Sequence, residues 1–387
     1  MHNTVCSDKE LHLMILWEAA RSKQAEILED MSARFQVLDV INMTWSDEFF
    51  SSNLTRFYGE KLPDGSYKEK HCGRGDFLLI LFHADTAAPV AKQTSRGPEY
   101  VNGDVFDCKQ LYRDWTGGGH KVHATNSEEE TNHDLTLLLG VNPSDYISAH
   151  TGSWNGAIRN LSKDLEGSVG WKDAEKMFYV LNSTIPYVVM RNFEGIPRGL
   201  RSDLHDDIDF LTVNETDFVH VINAKKVKGP KYRAQYKLNI AKEDFLCDVR
   251  SIGDGYYDES WQRNILANRI YDSCGFFRPS EGDHHFSLLS HCLVHKIKIS
   301  EDYRVTLGYL DNKYTSEALV DILLIYMKRF EYKVTQCRDL SVIYNRNVFS
   351  SDLAPAKSTA RWLHNSYYNF KQDLKRWFGI GVSRDKI

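Results

Sequence analysis

The residues best placed to do chemistry are carboxylates. The run Asp206-Asp207-Ile208-Asp209-Phe210-Leu211 mixes acids with apolar side chains. In a strand, side chains two apart share a face, so Asp207 and Asp209 point one way while Ile208 and Phe210 face the core. Two carboxylates on one face repel each other unless a cation stands between them. Hard oxygen ligands suit Mg²⁺ or Mn²⁺, and Mg²⁺ keeps waters and takes substrate phosphates as well. A third acid, Asp248, sits in the apolar stretch Phe245-Leu246-Cys247-Asp248-Val249, where it is costly unless paired or metal-bound. The competing reading makes residues 206–209 a solvated turn and Asp248 a surface residue. In the metal reading, Asp207 and Asp209 hold ions that neutralise a phosphate chain, and Asp248 orients or deprotonates an attacking hydroxyl. Arg191, Lys225, Lys226 and Arg250 are candidates for phosphate contacts, or else ordinary surface cations.

The second feature is Gly117-Gly118-Gly119-His120-Lys121-Val122-His123-Ala124-Thr125-Asn126-Ser127. A glycine run, a short strand and a capped helix place the His123 imidazole beside free backbone amides, and a helix N-terminus attracts anions. His123 could accept a phosphoryl group or simply contact phosphate. Arg96, Arg113 and Lys121 are cations nearby in sequence.

These residues need elements to hold them. Over the first 140 residues, strand patterns (Leu11 to Trp17, Gln36 to Met43, Phe77 to Phe82, His120 to Ala124) alternate with helical ones. Ser22 stands as a cap ahead of Ala25, Ile27, Leu28 and Met31, and Asp47 to Tyr58 reads as a helix. Ser127 caps a further helix with Glu128, Glu129 and Glu130 in its first turn. The order predicts an α+β fold whose N-terminal part is a ferredoxin-like sandwich. Residues 141 to 170 read as a connection. A second unit follows: a helix at Asp173 to Leu181, then strands at Tyr187 to Asn192, Asp207 to Thr212, Lys231 to Ile240 and Phe245 to Ile252. Helical patterns run from Trp261 through His285 to Lys296 and Ser316 to Tyr332. The expected domains are 1–145, 146–260, a helical subdomain 261–350, and a basic-aromatic tail 351–387.

The Asp-Ile-Asp strand, its preceding helix and strand, and the third Asp on a later strand resemble the nucleotidyltransferase fold over about residues 170 to 255. That core is shared by DNA polymerase beta-like enzymes and nucleotidyltransferases of bacterial polysaccharide loci. Fukutin-like phosphotransferases use a similar acidic run. The resemblance implies a divalent-metal site at Asp207, Asp209 and Asp248 acting on a nucleotide phosphate. The usual Gly-Gly or Gly-Ser pair is replaced by Arg191-Asn192-Phe193-Glu194-Gly195, where Arg191 or Gly195 would take over the phosphate contact. The segment from His123 to Ser127, continuing through Glu130, is similar to the active-site segment of nucleoside diphosphate kinases. There His123 takes the phosphohistidine position, Arg96 and Arg113 lie near the phosphate-binding arginines, and Asn126 belongs to the matched segment. Leu16-Trp17-Glu18 stands where that family has Lys-Pro-Asp, so the lobe resembles a degenerate member.

Composition bounds the rest. A chain of 387 residues that is 42% hydrophobic is not a disordered protein, and 48 Lys+Arg against 53 Asp+Glu supply no global field for a nucleic-acid backbone. The longest apolar runs, Phe77 to Phe82 and Ala318 to Met327, fall short of the roughly 20 residues that span a bilayer. Met1 to Glu10 is polar and unlike a presequence, and seven scattered cysteines without a CxxC pair suit reduced thiols. These readings point to the cytoplasm. His284, His285, His291 and His295 with Cys292 read as packed core histidines rather than a zinc site, and Gly253 to Asp258 as a turn or a lip. The expectation is a metal-dependent transferase moving a nucleotidyl or phosphoryl group from a nucleotide or nucleotide-sugar donor to a hydroxyl, with a sugar or glycan as acceptor. The alternatives are a non-catalytic nucleotide-binding or scaffold protein, or a kinase acting through His123.

Overall fold

The computed structural model describes residues 9–86, 89–94, 97–150, 152–198, 200, 207–227, 233–296, 299–309, 315–342 and 344–345. Arg96, Asp206 and the basic tail lie outside the described residues. The chain is α+β and divides into two compact units. The first holds the described residues of Met1–Ile185, Thr216–Ala224 and Asn239–Lys242, and the second holds the others. The expected boundary near residue 145 therefore falls inside the first unit.

The first unit begins with β1 (Lys9–Leu16), a 3-10 turn over Glu18–Lys23, α1 (Gln24–Arg34) and β2 (Gln36–Thr44). The expected cap Ser22 lies within that turn, and Lys23 stands at the start of α1 without a side-chain cap. Next come α2 (Phe50–Tyr58), α3 (Tyr67–Cys72), β3 (Phe77–Asp85) and a separate hairpin of β4 (Val90–Thr94) and β5 (Gly97–Val101). Then follow α4 (Gly103–Trp115), β6 (Val122–Ala124), α5 (Glu128–Leu139), α6 (Pro143–Ala149), β7 (Arg159–Ser162) and α7 (Ala174–Thr184). The sheet order is β6-β1-β3-β2-β7. Its first four members pair antiparallel, and β1-α1-β2-β3-α4-β6 is the β-α-β-β-α-β order of a ferredoxin-like fold. The stretch expected as a connection instead supplies α6 and β7, and β7 lies parallel to β2 at the sheet edge.

Alternation along β1 sends Met14 and Leu16 to a core shared with Ile27 and Met31 of α1 and with Val105 and Tyr112 of α4. Leu13 and Ile15, also fully buried, occupy the other face, and α5 packs against β1. A strand covered on both faces reads as a continuous apolar run, as LHLMIL and FLLILF do.

The second unit opens with β8 (Tyr187–Val189) and β9 (Ile208–Thr212). Between β9 and β10 (Lys225–Lys226) the chain forms α8 (Glu215–Val221), most of which belongs to the first unit. Then come β11 (Gln235–Ile240), β12 (Glu243–Ser251), α9 (Glu259–Ala267), the short pair β13 (Ile270–Tyr271) and β14 (Phe277–Arg278), α10 (Glu281–Val294), α11 (Glu301–Thr306) and α12 (Ser316–Arg329). The sheet order is β10-β11-β12-β9-β8. Trp261, Ile265, Leu289, Leu293, Leu319 and Leu323 form the centre of the helical core. No helix among the described residues is long and apolar enough to cross a membrane.

One buried cation organises the first unit. Arg56 on α2 is 2% exposed, and its guanidinium donates to the carbonyls of Glu166 (2.6 Å), Val221 and His220 (both 2.9 Å) and to Ser168 Oγ (3.0 Å). A cation at the last carbonyls of α8 also suits the negative end of the helix dipole.

Candidate functional site

The acidic strand of the second unit forms as its alternation requires. Ile208 and Phe210 are buried, while Asp207 and Asp209 are half-buried. Strand β12 lies parallel to β9 with Asp248 in register with Asp209, and Cys247 and Val249 beside Ile208 and Phe210. Register partners in a parallel pair share a face, so two carboxylates stand side by side, with Asp207 at the strand entrance. Asp207 also lines a cleft of about 280 Å³ with Arg191, Glu194, Gly195, His284 and Tyr303.

Two arginines offset this charge. Arg191, just past β8, places Nη2 2.6 Å from Asp209 Oδ1. Arg250, two residues beyond Asp248, donates through Nη1 to Asp339 Oδ2 at 3.3 Å and has Nη2 3.9 Å from Asp248. Its guanidinium lies 4.4 Å from the centre of the Tyr256 ring. Burial is the main force on Asp209, pushing its carboxyl up to about 6; Asp248 and Asp207 add to the rise while Arg191 and Arg250 oppose it. The raised value thus reflects loss of water around Asp209 more than the neighbouring carboxylates, whose effect Arg191 opposes.

Arg191, Gly195, Asp207, Asp209, Asp248 and Arg250, all singled out from sequence, therefore gather in one unit. Sequence reasoning missed Asp339 and Tyr303, which arrive from distant segments with no motif of their own, and it read His284 only as a packed core histidine, whereas His284 lines the cleft. The turn at residues 253–258 is a core turn and not a lip: Tyr256 is 7% exposed, and its hydroxyl meets His291 Nδ1 at 2.6 Å. His291 and His295 are packed histidines, the latter with Nε2 3.3 Å from the Tyr256 carbonyl. Lys225 and Lys226 are exposed on β10, where Lys226 pairs with Glu215.

In the first unit, His123 lies on β6 and is 9% exposed. Its Nε2 meets Asp134 Oδ2 at 2.7 Å, and the other oxygen of Asp134 meets His133 Nδ1 at 2.8 Å. Phe57 and Tyr58 of α2 stand edge-on to the imidazole. The start of α5 is closed by its own side chains: Ser127 Oγ accepts from the Glu130 amide, and Glu130 Oε2 accepts from the Asn126 amide at 2.6 Å. Asn126 Oδ1 accepts from Lys109 Nζ, whose charge is disfavoured by burial so that its pKa falls to about 8. Arg113 donates to the Val122 carbonyl (3.0 Å) and Lys121 to the Thr116 carbonyl (2.6 Å), so both brace local backbone. Asp134, unseen in the sequence reading, carries a helical signal: it stands four residues after Glu130, on one face of α5.

Among the described residues, ligand atoms of His123, Glu130 and Asp134 all lie within 4.8 Å of one another; the oxygens of Asp207, Asp209 and Asp248 form no such set. No protein-family description matches the sequence, and no curated protein matches it. Five chains among solved structures match. An Aquifex aeolicus nucleoside diphosphate kinase, in an orthorhombic crystal form, is 15% identical with a TM-score of 0.25, over 35% of this chain and 98% of that one.

Proposed function

We propose that the second unit is a metal-dependent transferase lobe that moves a nucleotidyl or phosphoryl group from a nucleotide-activated donor to a hydroxyl. The observation that carries the reading is the register of Asp248 with Asp209 on adjacent parallel strands, beside a cleft that holds Asp207, Arg191 and Gly195. An all-carboxylate donor set fits a hard divalent cation such as Mg²⁺ or Mn²⁺. Asp207, Asp209 and Asp248 would hold it, and the ion would neutralise phosphate oxygens and acidify the attacking hydroxyl. Arg191, on the cleft wall, would turn part of its fork to a phosphate, which suits planar bidentate donors. Gly195, with no side chain, would let the backbone approach the same group. The hydroxyl acceptor is drawn as a sugar or glycan by family analogy alone.

The test is turnover. The chain is incubated with Mg²⁺ or Mn²⁺ and a panel of nucleoside triphosphates and nucleotide sugars, with simple sugars as acceptors, and donor loss is followed by ³¹P NMR. Metal-dependent consumption that Asp207→Asn, Asp209→Asn and Asp248→Asn each abolish is expected. Consumption that survives all three substitutions rejects the assignment, and so does its absence across the panel.

A further inference from the structure

We propose that His123, Glu130 and Asp134 form a second metal site in the first unit, selective for a transition-metal dication such as Mn²⁺ or Zn²⁺. The ligand atoms of the three already lie within 4.8 Å of one another. The fold produces this convergence locally. Glu130 and Asp134 are one turn apart on α5, and His123 faces them from the strand that leads into that helix.

Each ligand is oriented from outside the trio, as metal ligands are in built sites. Asp134 has one oxygen held by His133 and turns the other toward His123. Glu130 has Oε2 held by the Asn126 amide. The flanking rings of Phe57 and Tyr58 fix the plane of the His123 imidazole. Among the described residues, neither carboxylate has a lysine or arginine at ion-pair distance, although Asp134 is 2% exposed. Lys109, the nearest buried cation, is turned to the Ala124 carbonyl and the Asn126 amide oxygen. A buried carboxylate, Asp134, whose ion-pair partners are imidazoles, with the half-buried Glu130 carboxylate beside it, is a place for a dication.

Ligand chemistry sets the selectivity. One imidazole nitrogen with two carboxylates favours Mn²⁺, Fe²⁺ or Zn²⁺ over Mg²⁺ or Ca²⁺, which prefer oxygen alone. The site therefore differs in kind from the all-oxygen set of the second unit, and its occupancy does not depend on the transferase reading.

The test separates the two. In a chain carrying Asp207→Asn, Asp209→Asn and Asp248→Asn together, stripped with chelator, Mn²⁺ is titrated by EPR and Co²⁺ by its visible d–d absorption. One bound ion per chain is expected, with affinity falling at least about tenfold on His123→Ala and on Glu130→Gln. Glu130 is half-buried, so Glu130→Gln keeps the test open if Asp134→Asn or His123→Ala fails to fold, as far-UV circular dichroism would reveal. In the unsubstituted chain, sub-stoichiometric Mn²⁺ should broaden the His123 imidazole NMR signals. No ion bound to the triple variant, unchanged affinity in Glu130→Gln, or unbroadened His123 signals would overturn the site. Failure of the nucleotide assay would leave it standing.

Discussion

Replacing Arg191 with methionine keeps an apolar stem and removes the guanidinium that stands 2.6 Å from Asp209. At that distance and an effective dielectric near 20, the gross attraction is about 6 kcal/mol. Desolvation of both ions returns part of it, and stranding one partner of a comparable buried pair costs about 3–5 kcal/mol. The cost must depend on pH. Burial, with Asp248 and Asp207 assisting, already holds the Asp209 carboxyl at about 6, above its ordinary 3.8. A folded-state pKa above the unfolded one means that ionised Asp209 weakens the fold as pH rises through this window, and that protonation relieves the penalty below it. Without Arg191 the carboxyl rises further. Arg191→Met should therefore lose about 3–5 kcal/mol near pH 8 and markedly less near pH 5. Urea unfolding followed by tryptophan fluorescence at several pH values measures this, with the slope on denaturant checked for constancy. Adding Asp209→Asn should restore at least half of the loss at pH 8, since the stranded charge is then gone. An equal loss at every pH, or a double variant no more stable than Arg191→Met, would refute the reasoning.

Two other substitutions probe the scaffold. Arg56→Met leaves three carbonyls and the Ser168 hydroxyl without their donor, which should cost about 3–5 kcal/mol of first-unit stability in denaturant melts. Gly255 has φ +76°, and a Cβ there would overlap the Gln336 carbonyl oxygen. Left-handed strain and overpacking together predict a loss of about 3 kcal/mol for Gly255→Ala, read as a lowered melting temperature.

The strands legible from sequence are those covered on both faces or alternating cleanly. Strands β1, β3 and β9 fall within a few residues of their expected positions. Ser127 and Asp173 cap their helices through amides three residues on, as local spacing allows one to read. Helix α4 escaped because its buried stripe is Val105, Cys108, Lys109 and Tyr112, in which a lysine breaks the apolar pattern. Strand β7 escaped because it is polar and largely exposed, and only its pairing with residues 41–44 makes it a strand.

Residue type and spacing by themselves determined which side chains share a face: Asp207 with Asp209, and the Ser127 cap ahead of Glu130. Those relations span a few residues and follow from helix and strand geometry. Only the tertiary structure decided that Asp248 meets Asp209 in register, that Arg191 takes up Asp209, that Asp339 takes up Arg250, and that His123 turns to Asp134. Such partnerships depend on how the strands pair and which charges lose their water together, and no local pattern of residues carries that choice.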